Sequence, residues 1–182
     1  MSHVSNLQHA VIENFAPVLK SQNFSKGERI HEEGEICQNL YLVESGVIRA
    51  FYLKDIKEIT AHFAFNGEAI TAPDSFINNT PSKYYLDALE DSQVYAVNRV
   101  ELDGYLDAHP HLEKLARQFT QAIYLELLER IESLMFFTAI ERYEVLFNRN
   151  PNLVRNVSLG HIASYLGITQ ETLSRIRAKV GR

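Results

Sequence analysis

The stretch Val157-Ser-Leu-Gly-His-Ile-Ala-Ser-Tyr-Leu-Gly-Ile-Thr-Gln-Glu-Thr-Leu-Ser-Arg-Ile-Arg177 reads as two short helices and the turn between them. Ser158 is a good N-cap, and Leu159, Ile162, Ala163 and Leu166 follow at helical spacing. Gly167 ends that helix, because glycine alone takes the left-handed backbone at no steric cost. Thr169 then caps a second helix with Leu173, Ile176 and Val180 on its inner face. The order Ala163, Gly167, Leu173 is what a helix-turn-helix requires: a small residue where the helices touch, a glycine in the turn, and an aliphatic that locks the second helix onto the first.

At ~100° per residue, the face opposite Leu173 and Val180 carries Glu171, Ser174, Arg175 and Ala178. Thr169, Gln170 and Thr172 flank it at the N-terminal end. A recognition helix presents these positions to base edges. Arg175 has the geometry to pair with guanine, and Glu171 to accept from a cytosine amino group or to orient that arginine. Arg177, Lys179 and Arg182 read as phosphate contacts. The plainer alternative is a structural helical hairpin with a solvated polar face.

The charge distribution agrees with this reading. The chain has 182 residues and a net charge of −5. From residue 155 onward, Arg155, Arg175, Arg177, Lys179 and Arg182 stand against Glu171, a balance of +4 that leaves −9 on the rest. A basic appendage on an acidic body points to nucleic acid. At 46% hydrophobic and 23% charged, the composition is that of a globular protein with a real core, not of a collagen, a disordered tail or a disulfide scaffold. No apolar run approaches the ~20 residues of a membrane span. The start, Met1-Ser-His-Val-Ser-Asn-Leu7, lacks the basic flank and apolar run of a secretory signal. With one cysteine no internal disulfide forms, so a cytoplasmic location is expected.

Before the tail, the first two-thirds of the chain reads as β. The runs 39–45, 47–54 and 57–65 are split by Gly46 and Asp55-Ile56, and the third ends at Asn66-Gly67. Residues 84–90 and 93–97 add two more strands, divided by Asp91-Ser92. Short strands with frequent turn signals predict a sandwich or barrel. Residues 71–83 are too broken for a strand and predict a long loop with at most a helical turn.

After Asn98, which caps a short helix to about Leu106, Pro110 starts a long one. Leu112, Leu115, Phe119, Ile123, Leu127, Ile131 and Leu134 recur along it at three- and four-residue spacing. A helix of ~25 residues is nearly 40 Å long, more than a small β-domain needs. One side is expected to pack on its own domain and the other, through Phe119, Ile123, Leu127 and Ile131, on a second copy. Thr138-Ala-Ile-Glu141 has the form of a capping box opening a further helix, which Asn148-Arg-Asn-Pro-Asn152 ends.

On these residues the chain resembles the Crp/Fnr (cyclic AMP receptor protein-like) transcription regulators. That family's Arg-Glu-Thr-x-x-Arg recognition pattern is present as Gln170-Glu171-Thr172-Leu-Ser-Arg175, with glutamine for the first arginine. Lys26-Gly27-Glu28, Gly34 and Tyr41-Leu-Val-Glu-Ser-Gly46 resemble the turn glycines of its cyclic-nucleotide-binding jelly roll. The resemblance implies an α+β protein: a β jelly roll (double-stranded β-helix) over 1–109, a dimerisation helix over 110–137 and a helix-turn-helix domain over 138–182. It further implies a homodimer on palindromic double-stranded DNA, with RNA polymerase as a further partner. The rival from another class is a sensor module whose helical tail contacts protein rather than DNA.

The resemblance also marks an effector pocket and two departures. In members that bind cyclic nucleotide, a Gly-Glu pair holds the ribose and a later Arg-Ser or Arg-Ala neutralises the phosphate. Gly67-Glu68 is present, but the later position reads Pro81-Ser82-Lys83-Tyr84. Lysine does not simply replace arginine's fork, which argues against a cyclic nucleotide and leaves open a different small effector or none. The sequence runs only five residues past Arg177, so no wing is expected after the recognition helix, and 148–157 is short for a hairpin before it. Cys37 alone cannot hold an iron–sulfur cluster. His31, His62 and His161 are isolated, and no pattern indicates a metal site or an enzyme. Glu32-Glu33-Gly34-Glu35 reads as a solvated turn.

Overall fold

The computed structural model describes residues 2–180. Its elements run α1 (Ser2–Phe15), β1 (Lys20–Phe24), β2 (Arg29–His31), β3 (Asn39–Ser45), β4 (Val47–Lys54), β5 (Lys57–Phe65) and β6 (Ala69–Ile70). They continue with α2 (Pro73–Asn78), β7 (Tyr85–Ala88), β8 (Ser92–Asn98), α3 (Arg99–Ala108) and α4 (Glu113–Phe136). The last four are α5 (Ala139–Arg149), α6 (Pro151–Asn156), α7 (Leu159–Leu166) and α8 (Gln170–Val180). The strands form two four-stranded sheets, ordered β1-β8-β3-β6 and β2-β7-β4-β5. This is the expected α+β jelly roll followed by helices.

Alternation builds the core. In β8 the residues Val94 and Ala96 are buried, paired across to Val43 and Tyr41 of β3. These pack with Ile48 and Ala50 of β4 and Leu86 and Ala88 of β7. Because successive side chains point to opposite faces, Arg49 and Asp87 fall on the other face of their sheet. There they form a two-pronged pair, Nε to Oδ1 at 3.0 Å and Nη2 to Oδ2 at 2.6 Å, with Arg49 only 2% exposed. The β4–β5 turn at Asp55-Ile56 has φ of 49° and 65°. Positive φ at both central residues is what a type I′ hairpin turn needs, and it is costly for a β-branched isoleucine.

Five elements go beyond the sequence reading: α1, β1, β2, β6 and α6. Val11 and Phe15 of α1 pack with Leu42 and Leu112, and Ile12, Leu102, Tyr105, Leu106, Leu115 and Phe119 close around them. Helix α2 supplies the helical turn within the 71–83 loop. Pro110 begins a short 3₁₀ turn, so α4 itself starts at Glu113; its 24 residues span about 36 Å. The capping box forms as written: Thr138 N–H donates to Glu141 Oε2 at 2.7 Å and Glu141 N–H to Thr138 Oγ1 at 3.3 Å. The Thr138 N–H and the Thr138 hydroxyl, which also donates to Glu141 Oε2 at 2.8 Å, hold the Glu141 carboxyl below the usual range. The segment 148–157 is not a plain connection. Asn150 ends α5 and caps α6, accepting from Leu153 N–H at 2.9 Å, with Pro151 in the first turn.

The chain divides into two compact units. One comprises the chain to Ala50 with Phe63–Leu125; the other comprises Phe51–His62 with the chain from Glu126 onward. This differs from the expected boundaries at 109/110 and 137/138. The tip of the β4–β5 hairpin groups with the C-terminal helices because Ser164 of α7 is bonded to its backbone: Thr60 N–H donates to Ser164 Oγ at 2.9 Å, and that hydroxyl donates to Glu58 O at 3.1 Å. No helix among the described residues is long and apolar enough to cross a membrane.

Candidate nucleic-acid interface

The α7–α8 pair is fixed by local signals. Ser158 Oγ accepts from His161 N–H at 3.2 Å and caps α7. Gly167 has φ 66°, and the Ile168 N–H beyond it reaches back to Ala163 O at 3.0 Å, closing the helix end. Thr169 Oγ1 accepts from Thr172 N–H at 3.1 Å and caps α8. Ala163, Leu173 and Ile176 are buried where the helices meet, and Val180 is half-buried.

This leaves Thr169, Gln170, Glu171, Ser174, Arg175 and Lys179 exposed and Thr172 half-buried. Arg175 and Glu171 pair one turn apart, a geometry that pre-orients the guanidinium. The Gln170 amide nitrogen lies against Gly160 of α7, where a Cβ would come within 3.1 Å of it. Arg177 differs from the expectation. It is half-buried and its Nη2 donates to Val154 O at 2.6 Å, so it ties α8 to α6 instead of standing on the outer face. Arg182 lies outside the described residues.

Two arginines not singled out from the sequence hold the turn in place. Arg142 of α5 donates from Nε to Leu166 O at 3.0 Å and from Nη1 to Phe137 O at 2.7 Å. Arg130 of α4 donates to Tyr165 O, its guanidinium 3.8 Å above the Tyr165 ring. Positive charge at the C-terminal carbonyls of α7 complements the helix dipole. Nothing local in the sequence signals the contacts to α7, since Leu166 lies 24 positions from Arg142 and Tyr165 lies 35 from Arg130.

His62 on β5 belongs to the same unit. Its pKa is pushed from 6.5 down to about 4, first by burial and then by Arg149 and Arg130. Because the folded value is depressed, the unfolded chain binds the extra proton between these values. The contribution is complete above about pH 6.5 and is lost as pH falls toward 4. At about 1.4 kcal/mol per unit it amounts to at most about 3.5 kcal/mol. Urea unfolding of His62→Gln beside the parent should show a shallower loss of stability from pH 6.5 to 4.5; identical slopes would contradict the assignment.

Along α4, Phe119 packs into the cluster around Val11 and Leu42 and so belongs to its own β unit. Ile123, Leu127, Ile131 and Leu134 are 39%, 59%, 46% and 45% exposed. They fall within an arc of ~80° on one side of the helix.

The expected effector residues are engaged in two places, Gly67 and Glu68 in the turn after β5, and Ser82 and Lys83 on Asp74. Gly67 N–H donates to Val43 O at 3.0 Å, Glu68 N–H to Phe65 O at 2.9 Å, and a Cβ on Gly67 would meet Gln8 of α1 at 2.7 Å. Ser82, 3% exposed, donates from Oγ to Asp74 Oδ1 at 3.4 Å. Lys83 is exposed, and its backbone N–H donates to Asp74 Oδ2 at 3.2 Å. No group of three His, Cys, Asp or Glu among the described residues could hold a metal ion.

Residues 21–109 match the cyclic nucleotide-binding domain family. Among solved structures, FixK2 from Bradyrhizobium japonicum is similar with a TM-score of 0.71 at 24% identity, covering 90% of this chain and 85% of that one. The c-di-GMP-responsive global regulator CLP from Xanthomonas campestris is similar with a TM-score of 0.68 at 17% identity, covering 95% and 91%. A crp/fnr-family transcriptional regulator from Eubacterium rectale gives 0.67 at 20% identity, covering 94% and 81%. A comparison with curated proteins found no match.

Proposed function

We propose that this chain, which has a Crp/Fnr-like fold, is a transcription regulator that binds DNA as a homodimer. The observation that carries this reading is the outer face of α8. Leu173 and Ile176 are buried, fixing the helix in its unit, while Glu171, Ser174 and Arg175 stand exposed in the register a major groove requires. Lys179 extends the exposed face toward the backbone phosphates. The apolar strip Ile123, Leu127, Ile131 and Leu134 supports pairing of two copies through α4. A two-fold dimer reads a palindrome whose half-sites lie about 34 Å apart.

Selection from a random-site library, followed by fluorescence anisotropy, tests the reading. A palindrome is expected to emerge at low salt; enrichment of none would leave the protein-contacting alternative. Within the selected site, Arg175→Ala should cost about 1–3 kcal/mol and relax the preference at one base pair. Lys179→Ala should instead weaken every sequence alike and reduce the salt slope by about one. Equal behaviour of the two variants would show that the faces of α8 are wrongly assigned.

A further inference from the structure

We propose that Asp74 is an internal anion seated in the cradle formed by Ser82 and Lys83, so that the chain itself holds the 71–83 loop in order and the pocket excludes phosphate-bearing effectors, cyclic nucleotides among them. Both carboxylate oxygens are engaged. Oδ1 accepts from the buried Ser82 hydroxyl at 3.4 Å and from Ser75 N–H at 2.9 Å, and Oδ2 accepts from Lys83 N–H at 3.2 Å. Ser82 cannot swing away freely, because its Oγ also accepts from Tyr84 N–H at 2.8 Å. Its backbone is bound on both sides to the acidic turn, Gly34 N–H to Ser82 O at 2.9 Å and Ser82 N–H to Glu35 O at 2.8 Å.

The surroundings reinforce the exclusion. A phosphate entering this cradle needs the donors that Asp74 holds, and it needs a positive partner. It would instead meet Asp74 together with the turn carrying Glu32, Glu33 and Glu35. Neither basic residue at the pocket supplies the missing charge. Lys83 is exposed and contributes its backbone amide. His31 is 6% exposed, its Nε2 has no partner, and burial holds its imidazole below the ordinary value despite the carboxylates of Glu35, Asp74 and Glu32. The cyclic nucleotide that the family match suggests therefore does not fit the residues present. This inference concerns only the residues that the resemblance marks as an effector pocket and does not depend on the proposed DNA binding, which site selection tests, so either can fail without the other.

Calorimetry on the full chain with cyclic AMP, cyclic GMP and inorganic phosphate tests it. The parent should bind none of them at millimolar concentration, whereas Asp74→Ala should gain affinity for at least one by tenfold or more, and Ser82→Ala added to that variant should remove the gain. Micromolar binding by the parent would overturn the proposal, as would a folded Asp74→Ala, judged by circular dichroism, that binds no better than the parent. Hydrogen exchange of the parent gives a reading that needs no variant. Amides 71–83 should show the same protection with and without 10 mM cyclic AMP (a concentration on the order of 10⁴ times a micromolar Kd), and added protection would refute the proposal.

Discussion

Leu127→Glu should convert the protein from dimer to monomer in sedimentation equilibrium and lower its affinity for the selected palindrome by about a thousandfold. Leu127 is 59% exposed in the single chain and sits mid-strip between Ile123 and Ile131. A two-fold interface repeats every substitution, so one glutamate per chain brings two carboxylates into one apolar seam, where neither finds a partner. The DNA effect is larger than the interface energy alone suggests. A monomer reads one half-site, and its binding falls toward the non-specific range of about 10⁻⁴–10⁻⁶ M, against about 10⁻⁸ M or tighter for a specific dimer. Leu125→Glu is the control: at 57% exposure it is as accessible, but at ~100° per residue it points away from the strip and should leave the dimer intact. A monomeric parent, or dissociation by Leu125→Glu and not by Leu127→Glu, would refute the assignment.

Asp87→Ala should destabilise the fold by about 3–5 kcal/mol in urea unfolding, a large part of the roughly 5–15 kcal/mol that holds a domain together. The Asp87 side chain is 12% exposed and that of Arg49 2%. Removing the carboxylate takes its two-pronged partner from a guanidinium that cannot reach water, and the penalty is that of a buried charge stripped of its main compensation. Replacing both partners with apolar residues of similar size, Arg49→Met with Asp87→Leu, should recover most of the loss, because the pair's attraction mainly offsets its own desolvation. If the double variant is no more stable than Asp87→Ala alone, the pair contributes more than mutual compensation.

These two sites differ in how far they were legible. The strip on α4 is a periodic pattern, and the spacing of Ile123, Leu127 and Ile131 announces an apolar face whatever surrounds it. The pattern does not tell which part faces home: Phe119 has the same spacing, yet it packs with Val11 and Leu42 because α1, absent from the sequence reading, covers that end. Arg49 stands in an apolar strand run with nothing nearby to show that it is buried. Its partner is 38 positions away and is chosen by the neighbouring of β4 and β7. In the same way, the sequence shows that an arginine is missing at Ser82-Lys83 but not that Asp74 has taken the donors, since that depends on how the 71–83 loop folds back on itself.

By itself the sequence determined what is settled within about four residues of chain: the caps at Asn98, Thr138, Ser158 and Thr169, the left-handed stop at Gly167, and the alternation and periodicity of the buried faces. In each, donor and acceptor, or one turn and the next, are neighbours along the backbone, so both halves of the interaction are written side by side. Only the tertiary structure decided which charges are buried and which helices are held together. Arg49 on Asp87, Arg142 on Leu166, Arg177 on Val154 and Ser164 on the β4–β5 hairpin join positions 23 to 106 residues apart. Such pairings follow from strand order and helix packing, and these arise from the summed burial of the whole chain, not from any one segment of it.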